Sequence, residues 1–182
     1  MFSIRFAVGS RRLKGHVNRG RGMPDFRVQY SEDTANLPEV VELLADAWAD
    51  AANIPKGQRI LESATAGQRL LLGYHLYWDD VINGGHWQFF ENYTGNLWQE
   101  ALEATHVLRL PEEAILRDAV DLFPGKRPGL TQRERRPQLA KISRAKLDQL
   151  DDRFGALRGS DRKIKRYVTG HPDEFFLPKR GR

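Results

Sequence analysis

The stretch Asp80-Val81-Ile82-Asn83-Gly84-Gly85-His86-Trp87-Gln88-Phe89-Phe90-Glu91-Asn92-Tyr93-Thr94-Gly95-Asn96 decides the fold. Glycine adopts positive φ without a Cβ clash, so Asn83-Gly84-Gly85 ends a preceding helix and re-aims the chain. Trp87, Phe89 and Phe90 then supply large apolar anchors, and Gly95-Asn96 breaks the chain again. The expectation is a helix, a turn, a short helix, a second turn and a further helix around a buried aromatic cluster. Its structural motif is Asn83, Gly84, Gly85, Gln88, Phe89, Phe90 and Asn92. No catalytic constellation is visible in it.

Outward from this corner the chain reads as helix after helix. Upstream, Asn36 is placed to cap a helix with Pro38 in its first turn, where a missing N–H costs nothing. Val40, Val41, Leu44, Trp48 and Ala51 recur at helical spacing until Ile54-Pro55-Lys56-Gly57 stops the run. A second segment starts near Gln58 and turns at Ala64-Thr65-Ala66; Leu70, Tyr74, Tyr77 or Trp78, and Val81 mark one face of the next. Downstream, Asn96 is expected to cap a helix carrying Trp98, Ala101, Leu102, Thr105 and Leu108, and Pro111 opens one with Ile115, Leu116, Ala119, Val120 and Phe123 inward. After the Pro124 to Gly129 loop come basic helical segments over 138–157 and 161–169. No alternating β pattern of useful length and no repeat appears. The fold class expected is all-α: a compact multi-helix domain over 31–178, a basic N-terminal extension over 1–30 and a basic tail over 179–182. Trp78, Val81, Phe89, Phe90, Leu102 and Leu116 should hold the corner in the core.

At 182 residues the chain is long enough to bury a sizeable core. Its lack of cysteine removes a disulfide framework, thiolate catalysis and Cys-ligated zinc. No apolar run approaches the roughly 20 residues that span a bilayer, and Ile4 to Val8 is too short for a signal segment, so a cytoplasmic protein is expected. The net charge of +5 averages three unlike segments. Residues 1–29 carry seven Lys/Arg and one Asp, residues 30–124 five Lys/Arg against sixteen Asp/Glu, and residues 125–182 seventeen Lys/Arg against seven Asp/Glu. An acidic centre between basic flanks says more about partners than the overall pI. Arg11 to Gly22 has the composition of a disordered arm. A start at Met23, with an upstream extension before it, explains it more simply than a nucleic-acid-binding arm does.

Glu39, Glu42, Asp46 and Asp50 share a stripe about 80° wide on the first helix, opposite Val41, Leu44 and Trp48. Each i,i+4 step rises about 6 Å, close to two phosphate steps of DNA at about 3.4 Å each. Such a row can pair with arginines that grip phosphate. Glu112 and Glu113 join it as candidate partner-binding residues. An ordinary solvated helix face explains the same pattern. His75, Asp79 and His86 have conceivable metal spacing, but a histidine among Tyr and Trp is more simply a packing residue. No Gly-x-Ser-x-Gly setting and no Gly-rich phosphate loop accompanies them. No metal, cofactor or catalytic residue is expected.

Asn83-Gly84-Gly85 followed by Gln88-Phe89-Phe90 and Asn92, an acidic helix and Leu122-Phe123-Pro124 resembles the bacterial family named for a DNA-mimic protein. Leu147 to Phe154 (LDQLDDRF), Tyr167-Val168 and His171-Pro172-Asp173-Glu174-Phe175-Phe176 resemble that family's closing motifs, so the likeness runs from about Leu61 to Leu177. One departure is His86-Trp87, where the family has an aromatic directly after the glycine pair. The resemblance implies an all-helical, non-enzymatic domain that occupies the DNA-binding surface of a protein such as a transcription regulator. Against mimicry stand Arg133 to Arg136 and Arg162 to Arg166, whose charges suit direct nucleic-acid contact equally well. Packing of basic helices on acidic ones, within a domain or between two copies of a homodimer, is the third option.

Overall fold

Helix follows helix among the residues that the computed structural model describes, 25–28, 37–49, 54–157 and 160–178. In chain order they are α1 (Leu37–Ala49), α2 (Ile54–Ser63), α3 (Ala66–Glu91), α4 (Trp98–Val107), α5 (Glu112–Asp121), α6 (Gln132–Leu139), α7 (Arg144–Gly155), α8 (Asp161–Gly170) and α9 (Pro172–Phe175). The all-α expectation holds: among these residues the sole β feature is an isolated parallel bridge between Val28 and Phe176.

α3, with 26 residues, is the axis of the fold: α1, α4, α6, α7 and α9 pack on it, α2 lies on α1, α5 on α4 and α7, and α8 on α9 and α1. It starts from a capping box in which Thr65 Oγ1 accepts from the Gln68 amide and Gln68 Oε1 accepts from the Thr65 N–H, both at 3.1 Å. Tyr74, Tyr77, Val81, Phe89 and Phe90 face the main core. Phe90 lies 4.7 Å from Phe123 between ring centroids, and Tyr77 lies 5.1 Å from Phe89 and 5.6 Å from Phe154, in the tilted and edge-on arrangements that the ring quadrupoles favour. Of the residues expected to hold the corner, Val81, Phe89, Phe90 and Leu116 are buried, whereas Trp78 and Leu102 are half-buried against that core. Trp87 packs on the edge of the same core. It is half-buried, donates Nε1–H to Glu91 at 2.7 Å and carries the Arg144 guanidinium 4.5 Å above its ring.

Several boundaries differ from the expectation, each for a local reason. Ile54-Pro55 opens α2, because a proline in the first turn forfeits no helical hydrogen bond. Asn96 caps nothing: the 3-10 turn Tyr93–Leu97 runs straight into α4, and the Asn96 Oδ1 is buried without a partner. The segment expected over 138–157 is two helices. α6 starts earlier, on a second capping box (Thr131 with Glu134), carries Pro137 near its end, and a turn separates it from α7. The Asn36 cap lies outside the described residues. Residues 25–28 lie within the stretch assigned to the N-terminal extension, yet they belong to the core. Phe26 packs with Leu44, Trp48, Ala64, Leu72 and Leu97, and Val28 exchanges backbone bonds of 2.9 Å with Phe175 and Leu177.

The C-terminal half grips both ends of α3. At the N-terminus the Glu174 carboxylate accepts from the Gly67 amide, and the Glu174 carbonyl accepts from Thr65 Oγ1 at 3.0 Å. At the C-terminus Arg135, fully buried, donates Nε to the Phe90 carbonyl (3.0 Å), one terminal nitrogen to the Asn92 carbonyl (2.7 Å) and the other to Gly129 (3.1 Å). An acid at the amino end and a cation at the carboxyl end both complement the helix dipole. Burial pushes the Arg135 guanidinium down to about 10, which leaves it charged at neutral pH. Gly95 makes room for it, since a Cβ there would meet the Phe89 carbonyl oxygen and the guanidinium. Truncating Arg135→Ala takes the donor from three carbonyls, one buried and two part-buried, and should lower the unfolding free energy by about 3 kcal/mol. Arg135→Lys should recover only part of this, because one ammonium cannot serve three directed acceptors. Urea unfolding followed by circular dichroism measures both.

Candidate functional site

The glycine corner is built as a latch. Gly84 (φ −161°) and Gly85 (φ 78°) interrupt α3, and the helix resumes at an angle. The interruption releases backbone donors, and a carboxylate from α7 collects one. Asp151 Oδ1 accepts from the His86 amide at 2.8 Å and from His86 Nδ1 at 2.5 Å. The fully buried His86 ring uses its other nitrogen on the Tyr77 hydroxyl, 3.0 Å away. Gly85 is required twice over: its φ is positive, and a Cβ would collide with Asp151. Asp80, buried one turn earlier, accepts from Gln88 and Asn92 at 2.9 Å each and from the Thr94 hydroxyl. Gln88 and Asn92 of the expected motif thus converge on one carboxylate, while Phe89 and Phe90 lie in the core. Asn83 stays exposed and returns its side chain to the Asp79 carbonyl at 2.8 Å.

This polar chemistry is structural. The histidine-centred metal option does not assemble: His86 spends both ring nitrogens on Asp151 and Tyr77, Asp80 is filled by three donors, and Asp79 points to solvent. Among the described residues no group of three His, Asp or Glu side chains is placed to hold a metal.

The candidate partner-binding acids divide. Asp46 is exposed and Glu42 half-buried on α1, one turn apart, while Val40, Val41, Leu44 and Trp48 of the same helix are buried. The Glu39 side chain and Asp50 lie outside the described residues. Glu112 does not belong to any surface. It is 3% exposed, and Oε1 accepts from Ser160 at 2.6 Å and from the Tyr74 hydroxyl at 3.2 Å, with Oε2 buried and unpartnered. The α5 register turns it towards α3, on the side of Ile115, Leu116 and Ala119. Burial, and then the Glu112 charge, push the Tyr74 hydroxyl above its ordinary pKa. Glu113 reaches the surface but is occupied: Arg117 and His106 each approach it to 2.8 Å and hold its carboxyl below the usual value.

The basic segment cancels more of the acidic centre. Arg153 meets Asp118 at 2.7 Å, Lys126 meets Asp121 at 3.1 Å and Arg136 meets Glu91 at 3.4 Å. Among the described residues Glu42, Asp46, Glu62, Asp79, Glu100 and Glu103 form no ion pair. Exposed acids of later helices, Glu134, Asp152, Asp161 and Asp173, are also without an ion pair among the described residues, whereas the exposed or half-buried acids of α5 are all paired. Sequence reasoning did not single out Asp151, Arg135, Glu174 and Asp80 as the groups that hold the corner. The Thr-x-x-Gln and Thr-x-x-Glu spacings at Thr65 and Thr131 were legible cap signals, whereas a carboxylate 65 residues from its partner leaves no local pattern.

Asp151 also sets a pH dependence. Burial pushes its carboxyl up, but the hydrogen bonds from His86 and the charges of His86 and Arg144 outweigh this, and the net direction is down. A depressed folded-state pKa adds stability above the unfolded value of about 3.9, lost as pH falls through the folded value. Asp151→Asn should therefore be clearly less stable than the parent at pH 6 to 7, with the gap narrowing below about pH 4. Thermal melts across that range test it; a constant gap would mean that the latch does not depend on the carboxylate charge.

No curated protein and no solved structure matches the chain. The family model of the DMP19-like proteins, named for a DNA-mimic protein, matches residues 62–171, from the end of α2 to the end of α8. That span contains the kink, Asp80, the Phe90–Phe123 pair, Arg135 and Asp151, whereas Glu174, which holds the start of α3, lies just beyond it. The chain belongs to the DMP19-like family.

Proposed function

We propose that this protein is a non-enzymatic binding module that acts as a DNA mimic, using acidic side chains of α1, with help from its neighbours, to occupy the DNA-binding surface of a protein such as a transcription regulator. The observation that carries the reading is the pair Glu42 and Asp46, one helical turn apart and free of ion pairs among the described residues, on a helix whose opposite face is anchored by Val41, Leu44 and Trp48. Membership of the DMP19-like family supports it. A carboxylate without an internal partner offers its full charge to an incoming arginine, through the charge-assisted bonds that phosphate would make. Glu113, Asp118 and Asp121, each held by a cation of the same chain, have less to offer. The interface we favour is therefore α1 with Glu42 and Asp46; Glu39 and Asp50 stay candidates from helical spacing alone, and Glu112 is not part of it.

Mimicry of this kind works by competition, and its affinity falls as salt screens the exposed charges. Purified chain serves as bait in extracts of its native host, beside Glu42→Lys and Asp46→Lys combined. The parent should recover a DNA-binding protein that elutes with rising salt, and the double reversal should raise Kd about tenfold or more. Unchanged melting temperatures show that the variant is folded. Equal recovery by both baits would exclude α1 as the interface.

A further inference from the structure

Cations without an ion pair among the described residues occur on several elements, Arg59, Arg133 and Lys146 among them, but three gather on one face of α8. On α8 the buried Ile164 and Val168 define the inward face. Arg162, Lys165 and Arg166 fall within about 100° of arc on the opposite side. All three are exposed, and none forms an ion pair among the described residues. Lys163, on the flank, is drawn back onto the Arg109 carbonyl and ties the helix to the turn before α5. Asp161 is the only acid of α8. We infer that this face of α8 is a docking ridge for a nucleic-acid backbone, distinct from the acidic row on α1.

Two features select a polyphosphate over an acidic protein. Arg162 and Arg166 are about 6 Å apart along the axis, matching two phosphate steps of about 3.4 Å. The ridge also has no apolar centre: its fourth outward residue is Thr169, whose hydroxyl is turned back onto the Lys165 and Arg166 carbonyls. Stable protein interfaces are built on a desolvated apolar core with a polar rim, and a purely cationic row lacks that core. It suits contacts that are sequence-independent, wet and sensitive to salt.

Fluorescence anisotropy of the full chain with two labelled DNA duplexes of unrelated sequence tests the ridge. Both should bind alike. With three phosphates neutralised, Kd should rise about 40-fold between about 50 and 200 mM salt. R162E/K165E/R166E should abolish retention, R162Q/K165Q/R166Q should weaken it strongly, and E42K/D46K should retain it; melting curves confirm that each is folded. Absence of binding at low salt, retention by the folded triple variants, or a strong preference for one duplex would overturn the inference. Tighter binding of an acidic protein such as ovalbumin than of the duplexes would overturn it too. The proposal for α1 is read on other variants with another probe, so either can fail alone.

Discussion

One long helix cannot satisfy its own ends, and the rest of this protein is arranged around that fact. α3 exposes free N–H groups at its start, free carbonyls at its finish and a break at Gly84-Gly85 between them. The chain answers each with a charged group from downstream: Glu174 at the start, Asp151 at the break and Arg135 at the finish. The signs follow the field, with acids where N–H groups point outward and a cation where carbonyls do. Burying Arg135 without an acid is tolerable because three oriented carbonyls take the place of a counter-ion. Removing any clamp uncovers a group that has no other partner.

This arrangement explains why the C-terminal half is basic without making the protein a simple cation. Its charges have three uses. Arg135 works inside the core. Arg136, Arg153 and Lys126 lie over acids of α3 and α5 and reduce the negative surface there. Exposed pairs of this type contribute little to stability, about 0 to 1 kcal/mol each, but they decide which acids remain free to meet a partner. Among the described residues this leaves Glu42 and Asp46 of α1, and Arg162, Lys165 and Arg166 of α8, without an ion pair. A mimic of DNA need not be acidic everywhere. It needs one face whose charges have no internal claim on them.

The neutral polar groups have a different part. Asp80 gathers Gln88, Asn92 and Thr94, so the second turn is shaped by hydrogen bonds to a buried carboxylate rather than by glycine alone. The landmarks that resembled the family come together here. Phe123 packs on Phe90, Phe154 on Tyr77, and Asp151 bonds to His86. His86 is held by Asp151 and Tyr77, and Asp80 is held by Gln88, Asn92 and Thr94.

Much of the fold was written locally. The glycine pair, the 3.6-residue periodicity of Val40, Val41, Leu44 and Trp48, and the prolines and capping residues act within a few positions of themselves, so the all-helical class and most helix boundaries follow from sequence. The placing of Glu42 and Asp46 one turn apart on the same side of α1 was legible for the same reason, since helical spacing alone dictates it. Tertiary structure decided which charges are free. Glu112 and Glu113 are neighbours of identical chemistry, yet one is sealed under Tyr74 and Ser160 and the other is bound by Arg117 and His106. Whether a carboxylate meets solvent, a partner or an arginine of its own chain depends on residues tens of positions away, and short-range pattern carries no trace of that distance.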